Sequence, residues 1–129
     1  MSLFKKKKQS GIPVQHYDGI KEFAQDYPCR LEVKGNILEI RRMVPETTVN
    51  LPMNRIIQID EMEEKSFMSK YYGSPVKTSK SGKKYFLVIT YTKQDGSESF
   101  LAFWGTSLER GAFIDLKMNF QKPVDTINL

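Results

Sequence analysis

Catalytic chemistry would have to rest on very few residues of this 129-residue chain. His16 is the only histidine and Cys29 is the only cysteine. Nucleophilic catalysis needs a hydroxyl or thiol beside a base that a third group orients, and no such motif surrounds either residue. We therefore expect His16 to be an exposed or packing histidine, and Cys29 to be a small, half-buried apolar residue.

Four carboxylates lie close together in the middle of the chain, at Asp60, Glu61, Glu63 and Glu64. A metal site needs several ligands that converge on one point. Because neighbouring side chains of a strand point to opposite faces, we expect a solvated acidic edge here. There is also no Gly-rich phosphate-binding motif. The residues therefore predict no enzyme activity, no cofactor, no metal and no small-molecule substrate.

Lysines are the strongest candidates for a functional contact. The formal net charge is +5, and most of it comes from a run of lysines that follows Leu3-Phe4 near the N-terminus. Near an anionic membrane leaflet each such lysine contributes about 1 kcal/mol. A second group follows later in the chain and would join the first if the fold brings them to one surface. The predicted contacts are Lys5, Lys6, Lys7, Lys8, Lys77, Lys80, Lys83 and Lys84. The competing interpretation of the first group is a solvated tail.

Two other kinds of partner fit the sequence. Nucleic acid would use the same lysines, with Tyr71, Tyr72 and Tyr85 as stacking surfaces; five arginines and a nearly neutral body argue against it. An unknown protein partner, or a second copy in a homo-oligomeric scaffold, would use an exposed edge strand or the outer face of a helix. Such a contact needs no special residues.

Composition indicates the compartment. A lone cysteine cannot form an internal disulfide, which is typical of proteins in a reducing environment. The sequence has no run of about 20 apolar residues that would span a membrane, and the N-terminal lysines are not followed by the apolar region of a secretory signal. We therefore expect a cytoplasmic protein, with peripheral contact to the inner membrane face as a hypothesis.

The elements that would position these residues are mainly strands. We expect a flexible basic arm over residues 1–12, one domain over 13–122 and a tail over 123–129. Apolar and polar residues alternate on both sides of Gly35-Asn36, which predicts a hairpin. Further strands are expected at 47–51, at 56–62 and around 66–72, and a short turn or helical piece is expected at 17–24.

The strongest signals lie in the C-terminal third. The segment 85–92 is apolar on both faces, which is typical of a central strand, and it is followed by an Asp95-Gly96 turn and a returning strand. The period then changes to that of a helix over about 106–121. Thr106 and Glu109 match a capping box, and a stripe that includes Phe113 and Leu116 predicts a core-facing side.

This layout resembles the bacterial pleckstrin-homology-like (PH-like) domains. The resemblance lies in the opening lysine run and in the order of four segments: Leu31-Glu32-Val33, Leu51-Pro52-Met53-Asn54-Arg55-Ile56, Lys84-Tyr85-Phe86-Leu87-Val88-Ile89 and Phe100-Leu101-Ala102-Phe103. It implies a mainly β fold: a barrel of about seven antiparallel strands in two near-orthogonal sheets, capped by a C-terminal helix. Related proteins have a longer Gly-rich hairpin where this chain has residues 71–83.

The resemblance also implies a binding role. Lipid-binding members carry a basic signature on the first hairpin, in which two basic residues separated by one residue share a strand face. Here the hairpin around Gly35 offers Lys34 and the adjacent pair Arg41-Arg42, so no phosphoinositide site is carried over. The sequence predicts a non-enzymatic interaction module.

Overall fold

A mainly antiparallel β architecture is formed by residues 10–73 and 83–121, which are the parts of the chain that the computed structural model describes. They contain seven strands and two α-helices. The strands are β1 (Ile12–Asp18), β2 (Tyr27–Lys34), β3 (Ile37–Met43), β4 (Glu46–Pro52), β5 (Ile56–Glu63), β6 (Tyr85–Thr92) and β7 (Glu98–Gly105); the helices are α1 (Glu64–Tyr72) and α2 (Ser107–Gln121).

The strands form one sheet in the order β4-β3-β2-β1-β7-β6-β5. β1 lies in the middle and pairs antiparallel with both β2 and β7. β4 and β5 are the two edges, so in the described part of the chain the sheet is not closed into a barrel. The mainly β fold with seven antiparallel strands and a C-terminal helix is confirmed. One continuous sheet is observed where two near-orthogonal sheets were expected.

The two predicted hairpins form where glycine supplies positive φ. Gly35 (φ +60°) turns β2 into β3, and Gly96 (φ +90°) turns β6 into β7. The second turn is closed by the Lys93 amide, which donates to the Ser97 carbonyl at 2.7 Å. Residues with a Cβ rarely adopt these dihedral angles, which is why the Gly-containing dipeptides gave the correct turn positions.

The inner face of the sheet carries the main core, which α2 covers. Phe113 and Leu116 of α2 are buried against residues from both halves of the sheet. The capping box forms as predicted: the Thr106 amide donates to Glu109 Oε1 at 2.8 Å, and the Leu108 amide donates to Thr106 Oγ1 at 3.3 Å. These bonds satisfy amides that have no partner within the helix.

A second core lies on the outer face of β6 and β7, where α1 packs. The Phe67 ring of α1 stacks on Phe86 of β6, with 4.1 Å between the ring centroids. The strand expected around 66–72 is therefore wrong, and the segment is helical. Phe67, Met68 and Tyr71 follow the spacing of a helix face, and Gly73 ends the helix with φ +64°.

The N-terminal strand was also missed in the sequence. β1 begins at Ile12 and extends to Asp18. The rest of the segment 17–24, expected to be a short turn or helical piece, forms turns, in which the Phe23 amide donates to the Ile20 carbonyl at 3.0 Å. Val14 and His16 are the buried residues of β1. Because one of these two buried residues is polar, the alternation of a half-buried strand was hidden.

Candidate functional site

The sheet brings the start of β1 and the start of β6 to the same end. β1 runs antiparallel to β7, with Gln15 opposite Trp104, and β6 runs antiparallel to β7, with Tyr85 opposite Gly105. The residues that precede β1 and the residues that precede β6 therefore emerge at one end of the sheet. We call it the arm end, because Ser10 and Gly11, which lead into β1, lie there.

Two of the eight predicted contact residues lie within the described chain, and both are at the arm end. Lys83 is exposed and Lys84 is half-buried. With Lys65, Glu63 and Glu64 they line a cleft of about 190 Å³. In the described part of the chain these three lysines form no ion pair. Lys5, Lys6, Lys7, Lys8, Lys77 and Lys80 lie outside the described residues.

Lys84 is oriented by an aromatic ring. Its ammonium lies 4.4 Å from the centroid of the Trp104 ring, within the range of a cation–π contact. The Trp104 indole in turn donates from Nε1 to Asp26 Oδ1 at 2.7 Å. The Lys84 charge therefore points along the outer face of the sheet, whereas Lys65 and Lys83 are exposed to solvent.

Two basic residues of the β2–β3 hairpin, Lys34 and Arg41, are paired with carboxylates. Arg41 Nη1 lies 2.6 Å from Glu39 Oε1, and Lys34 Nζ lies 3.2 Å from the same oxygen. The hydrogen bond from Lys34 holds the pKa of the Glu39 carboxyl below its usual value. Because β1 precedes it, this is the second hairpin of the sheet and not the first, as the sequence had indicated.

The actual first hairpin, β1–β2, carries Lys21 in its connection and Arg30 on β2, with Leu31 and Glu32 following. Two basic residues separated by one residue are again absent from it. Arg30 donates to the Gly11 carbonyl at 3.3 Å, which holds the residues before β1 against the outer face.

The lone histidine is a packing residue and not an exposed one. His16 is 2 % exposed, and its ring contacts Phe23 and Phe103 edge-on. Its Nε2 accepts from the Ile20 amide at 3.1 Å, which leaves Nδ1 to donate to the Ala24 carbonyl. The ring therefore holds the β1–β2 connection, and both nitrogens are occupied.

Cys29 is more deeply buried than expected, with 3 % of its surface exposed. Burial raises the pKa of the Cys29 thiol to about 12. A thiol in that state carries almost no thiolate at neutral pH, so it is a packing residue and not a nucleophile.

The acidic residues are only partly the solvated edge that was expected. Asp60 and Glu61 reach α2 instead, where their carboxylates lie 3.8 Å from Lys117 Nζ and 3.6 Å from Arg110 Nε. Glu64 is buried, and its Oε1 has no hydrogen-bond partner among the residues described. Over residues 10–73 and 83–121 no group of three metal-binding side chains occurs.

The rings proposed for base stacking are mostly engaged. Tyr85 is buried and lies beneath the Arg110 guanidinium, while Tyr71 packs on Phe67 and Phe100. Tyr72 is more than a third exposed, and its hydroxyl donates to Asp18. These contacts join residues far apart in sequence, so composition gave no sign of them.

Over residues 10–73 and 83–121, these features define a mainly β protein in which no helix covers the outer face of β2–β4, and which has a lysine-bearing end. Comparison with protein-family models and with curated proteins finds no match. Within the described residues, neither helix has the length and hydropathy that crossing a membrane requires.

Proposed function

We propose that the protein is a non-enzymatic interaction module with a PH-like fold that associates peripherally with an anionic membrane surface through its arm end. One observation carries the proposal. The root of the Lys5–Lys8 arm and the exposed lysines Lys65 and Lys83 emerge at the same end of the sheet. A single planar surface is therefore within reach of both lysine groups.

The PH-like assignment is supported by the arrangement of the strands. β1–β4 pair in chain order as hairpins, β5–β7 also pair in chain order although α1 lies between β5 and β6, and β1 joins the two groups by pairing with β7. α2 then covers the inner face. These are the parts that the family resemblance implies, although fold alone defines no ligand.

The charges favour a diffuse electrostatic contact over a headgroup pocket. Lys34 and Arg41 are paired with carboxylates, and the Arg42 guanidinium donates to the Glu22 and Pro45 carbonyls and to Thr47 Oγ1. The hairpin that would hold a phosphoinositide therefore has no uncommitted basic pair. Four arm lysines contribute roughly 4 kcal/mol at an anionic surface. The expected attachment is reversible and weakens with salt.

Nucleic acid is less well supported as the anionic partner. Tyr85 is buried and Tyr71 is packed against two other rings, so neither offers a free face for a base. Base–aromatic stacking supplies much of the affinity for single strands. A fluorescence anisotropy titration of labelled DNA and RNA at low salt should show no change.

Vesicle sedimentation tests the proposal. Anionic vesicles should retain the intact chain at low salt and release it at moderate salt, and neutral vesicles should not retain it. Deletion of residues 1–9 should weaken retention by roughly 10³-fold, since about 1 kcal/mol is lost per lysine.

A matched pair of variants tests the orientation. Lys65→Gln with Lys83→Gln should weaken retention further at low salt. Lys21→Gln with Lys93→Gln removes two exposed lysines from the opposite end of the sheet and should leave retention close to that of the intact chain. Equal effects of the two pairs would contradict the arm-end orientation, and no retention of the intact chain at low salt would contradict the membrane role.

A further inference from the structure

The two edges of the sheet are protected to very different degrees. β5 has a register irregularity between Ile56 and Gln58, carries three carboxylates and leads directly into α1. Irregular pairing and charge are two of the devices by which proteins prevent an edge strand from pairing with another chain. β5 therefore has the features of a protected edge.

β4 has none of these features between Thr47 and Leu51. Its seven residues pair with β3 in an unbroken register, from Met43 opposite Glu46 to Ile37 opposite Pro52. Residues 47–51 carry no charge. Within the described chain, no backbone group outside β3 pairs with this strand. Its outward amides and carbonyls are thus a template for one more antiparallel strand.

We propose that β4 pairs antiparallel with β4 of a second copy of the chain, about a two-fold axis at Val49. A two-fold contact requires a surface that is complementary to itself. In this register Thr47 faces Leu51 of the other copy and Thr48 faces Asn50. With the axis at Val49, all seven residues of β4 face a β4 residue of the other copy. An axis at any other residue would leave residues at the strand ends without an opposite residue.

The side chains support this occupant. Val49 is half-buried and packs against the main core, and Leu51 is buried, so the inward residues of the two copies extend one apolar face. Thr48 and Asn50 are exposed and meet as polar pairs. Glu46, the one charged residue of β4, faces Pro52 and not a second carboxylate, so the self-pairing brings no like charges together.

The same register also orders the neighbouring strands on the outer face. On the outer face Arg41 is opposite Thr48, and Glu39 is opposite Asn50. When Thr48 of one copy faces Asn50 of the other, a row of four residues crosses the interface. It consists of Arg41 and Thr48 of one copy, followed by Asn50 and Glu39 of the other. A different protein could add a strand at this edge, but nothing in its sequence would be required to match this row.

Light scattering after size exclusion tests the dimer. We expect the intact chain to be a dimer at tens of micromolar or above, and Thr48→Lys with Asn50→Lys to be a folded monomer, because two pairs of lysines then face each other. The control, Ile57→Lys with Gln58→Lys, adds the same charge to exposed positions of β5 and should remain a dimer. A monomeric intact chain, or a β4 variant that stays dimeric, would overturn the proposal.

Cross-linking provides a readout that does not depend on a disruptive variant. Thr48→Cys mixed with Asn50→Cys should form a disulfide-linked dimer faster than either variant alone, since these positions face each other only in the proposed register. Cys29 is buried and does not compete. Equal rates in the mixture and in the separate variants would overturn the register.

This experiment is independent of the membrane proposal. A two-fold axis perpendicular to the sheet reverses the strand direction in the second copy, so the two arm ends point in opposite directions. The monomeric β4 variant should therefore bind anionic vesicles as the dimeric control with Ile57→Lys and Gln58→Lys does, since both carry the same added charge. Loss of the dimer with retained vesicle binding separates the two surfaces.

Discussion

The two halves of the sheet differ in how many of their faces are covered. In the half formed by β5–β7, the inner face lies under α2 and the outer face under α1, where Phe67 and Phe86 are fully buried. In the half formed by β1–β4, the inner face is packed, and among the described residues α1 covers the outer face only at β1, where Tyr17 contacts Phe67. The rest of the outer face carries partly or fully exposed residues such as Arg30, Arg41 and Thr48. This half ends in the edge strand β4, which pairs only with β3 in the described part of the chain.

This difference predicts which half of the sheet contributes more to stability and which half presents an edge strand to a partner. Apolar burial is the main favourable term in folding, and β6 contributes to it on both faces, with Leu87 and Ile89 inward and Phe86 and Val88 outward. The β1–β4 half buries one face and leaves polar groups and backbone available for partners. We therefore place the strongest effects of core mutations in the doubly covered half, and the pairing edge for a second copy in the other half.

Loss of the outer cover should have the largest effect. Phe67→Ala removes a fully buried ring that stacks on Phe86 and contacts Tyr17. Large-to-small changes of this kind lower the free energy of unfolding by about 3–5 kcal/mol. Denaturant unfolding measures it, and Leu108→Ala, at a residue that is 88 % exposed, should change stability by less than about 0.5 kcal/mol.

A loss below about 1 kcal/mol for Phe67→Ala would show that α1 adds little to the fold. The second covered face would then give the β5–β7 half no extra stability over the β1–β4 half. Phe67→Leu sharpens the result, because it keeps most of the apolar volume and removes only the stacked ring. Its loss should fall between those of the alanine variant and the exposed control.

The open half should depend on Arg42, which lies on the inner-face side of β3 opposite Cys29. The guanidinium donates to the Glu22 carbonyl at 2.7 Å, to Thr47 Oγ1 at 2.7 Å and to the Pro45 carbonyl at 3.1 Å. It also lies 4.8 Å from the Phe23 ring centroid. Arg42→Lys cannot reproduce this planar set of donors, so we expect a loss of about 1–3 kcal/mol in the free energy of unfolding.

The matched control for Arg42 is Arg30→Lys. Arg30 lies on the same half and makes one longer hydrogen bond, 3.3 Å to the Gly11 carbonyl. Its replacement should be close to neutral. Urea titrations measure the free energy of unfolding of both variants. If Arg42→Lys and Arg30→Lys lower it equally, the loss comes from replacing any arginine by lysine and not from the three hydrogen bonds of Arg42.

The elements predicted correctly from sequence are those with a strong local signal. The Gly35 and Gly96 turns, the doubly apolar strand β6 and the helix that begins after Thr106 each follow from neighbouring residues. α1 was assigned as a strand because its aromatic residues are compatible with either period over so short a segment. What decides the helix is the apolar outer face of β6 and β7, to which Phe67 must pack.

The site was predictable only in part for a similar reason. Lys83 and Lys84 were identified as basic residues, but their place beside the start of β1 depends on the pairing of β1 with β7. The ion pairs of α2 with Asp60 and Glu61, and the bond between Trp104 and Asp26, connect residues far apart in sequence. No local pattern encodes such contacts.

The smallest expected effect lies where the two halves join. His16 is on β1, and burial lowers the pKa of its imidazole below the ordinary value of 6.5, although the Ala24 hydrogen bond and the charge of Asp18 oppose the shift. Below about pH 6.5 the unfolded chain gains a proton at His16 that the folded chain does not, so the free energy of unfolding falls as the pH falls.

One such group changes stability by at most about 1.4 kcal/mol per pH unit, and only between its folded and unfolded pKa values. Protonation would also give Nε2 a hydrogen where it now accepts from the Ile20 amide, so the charged ring cannot keep this bond. Urea unfolding between pH 5 and 8 should show the slope in the intact chain and a reduced slope in His16→Leu. Stability that stays level or rises towards acid, or an NMR titration of His16 at or above 6.5, would show that the β1–β2 connection does not depend on a neutral imidazole. The junction would then be held by the Arg42 and Trp104 contacts alone.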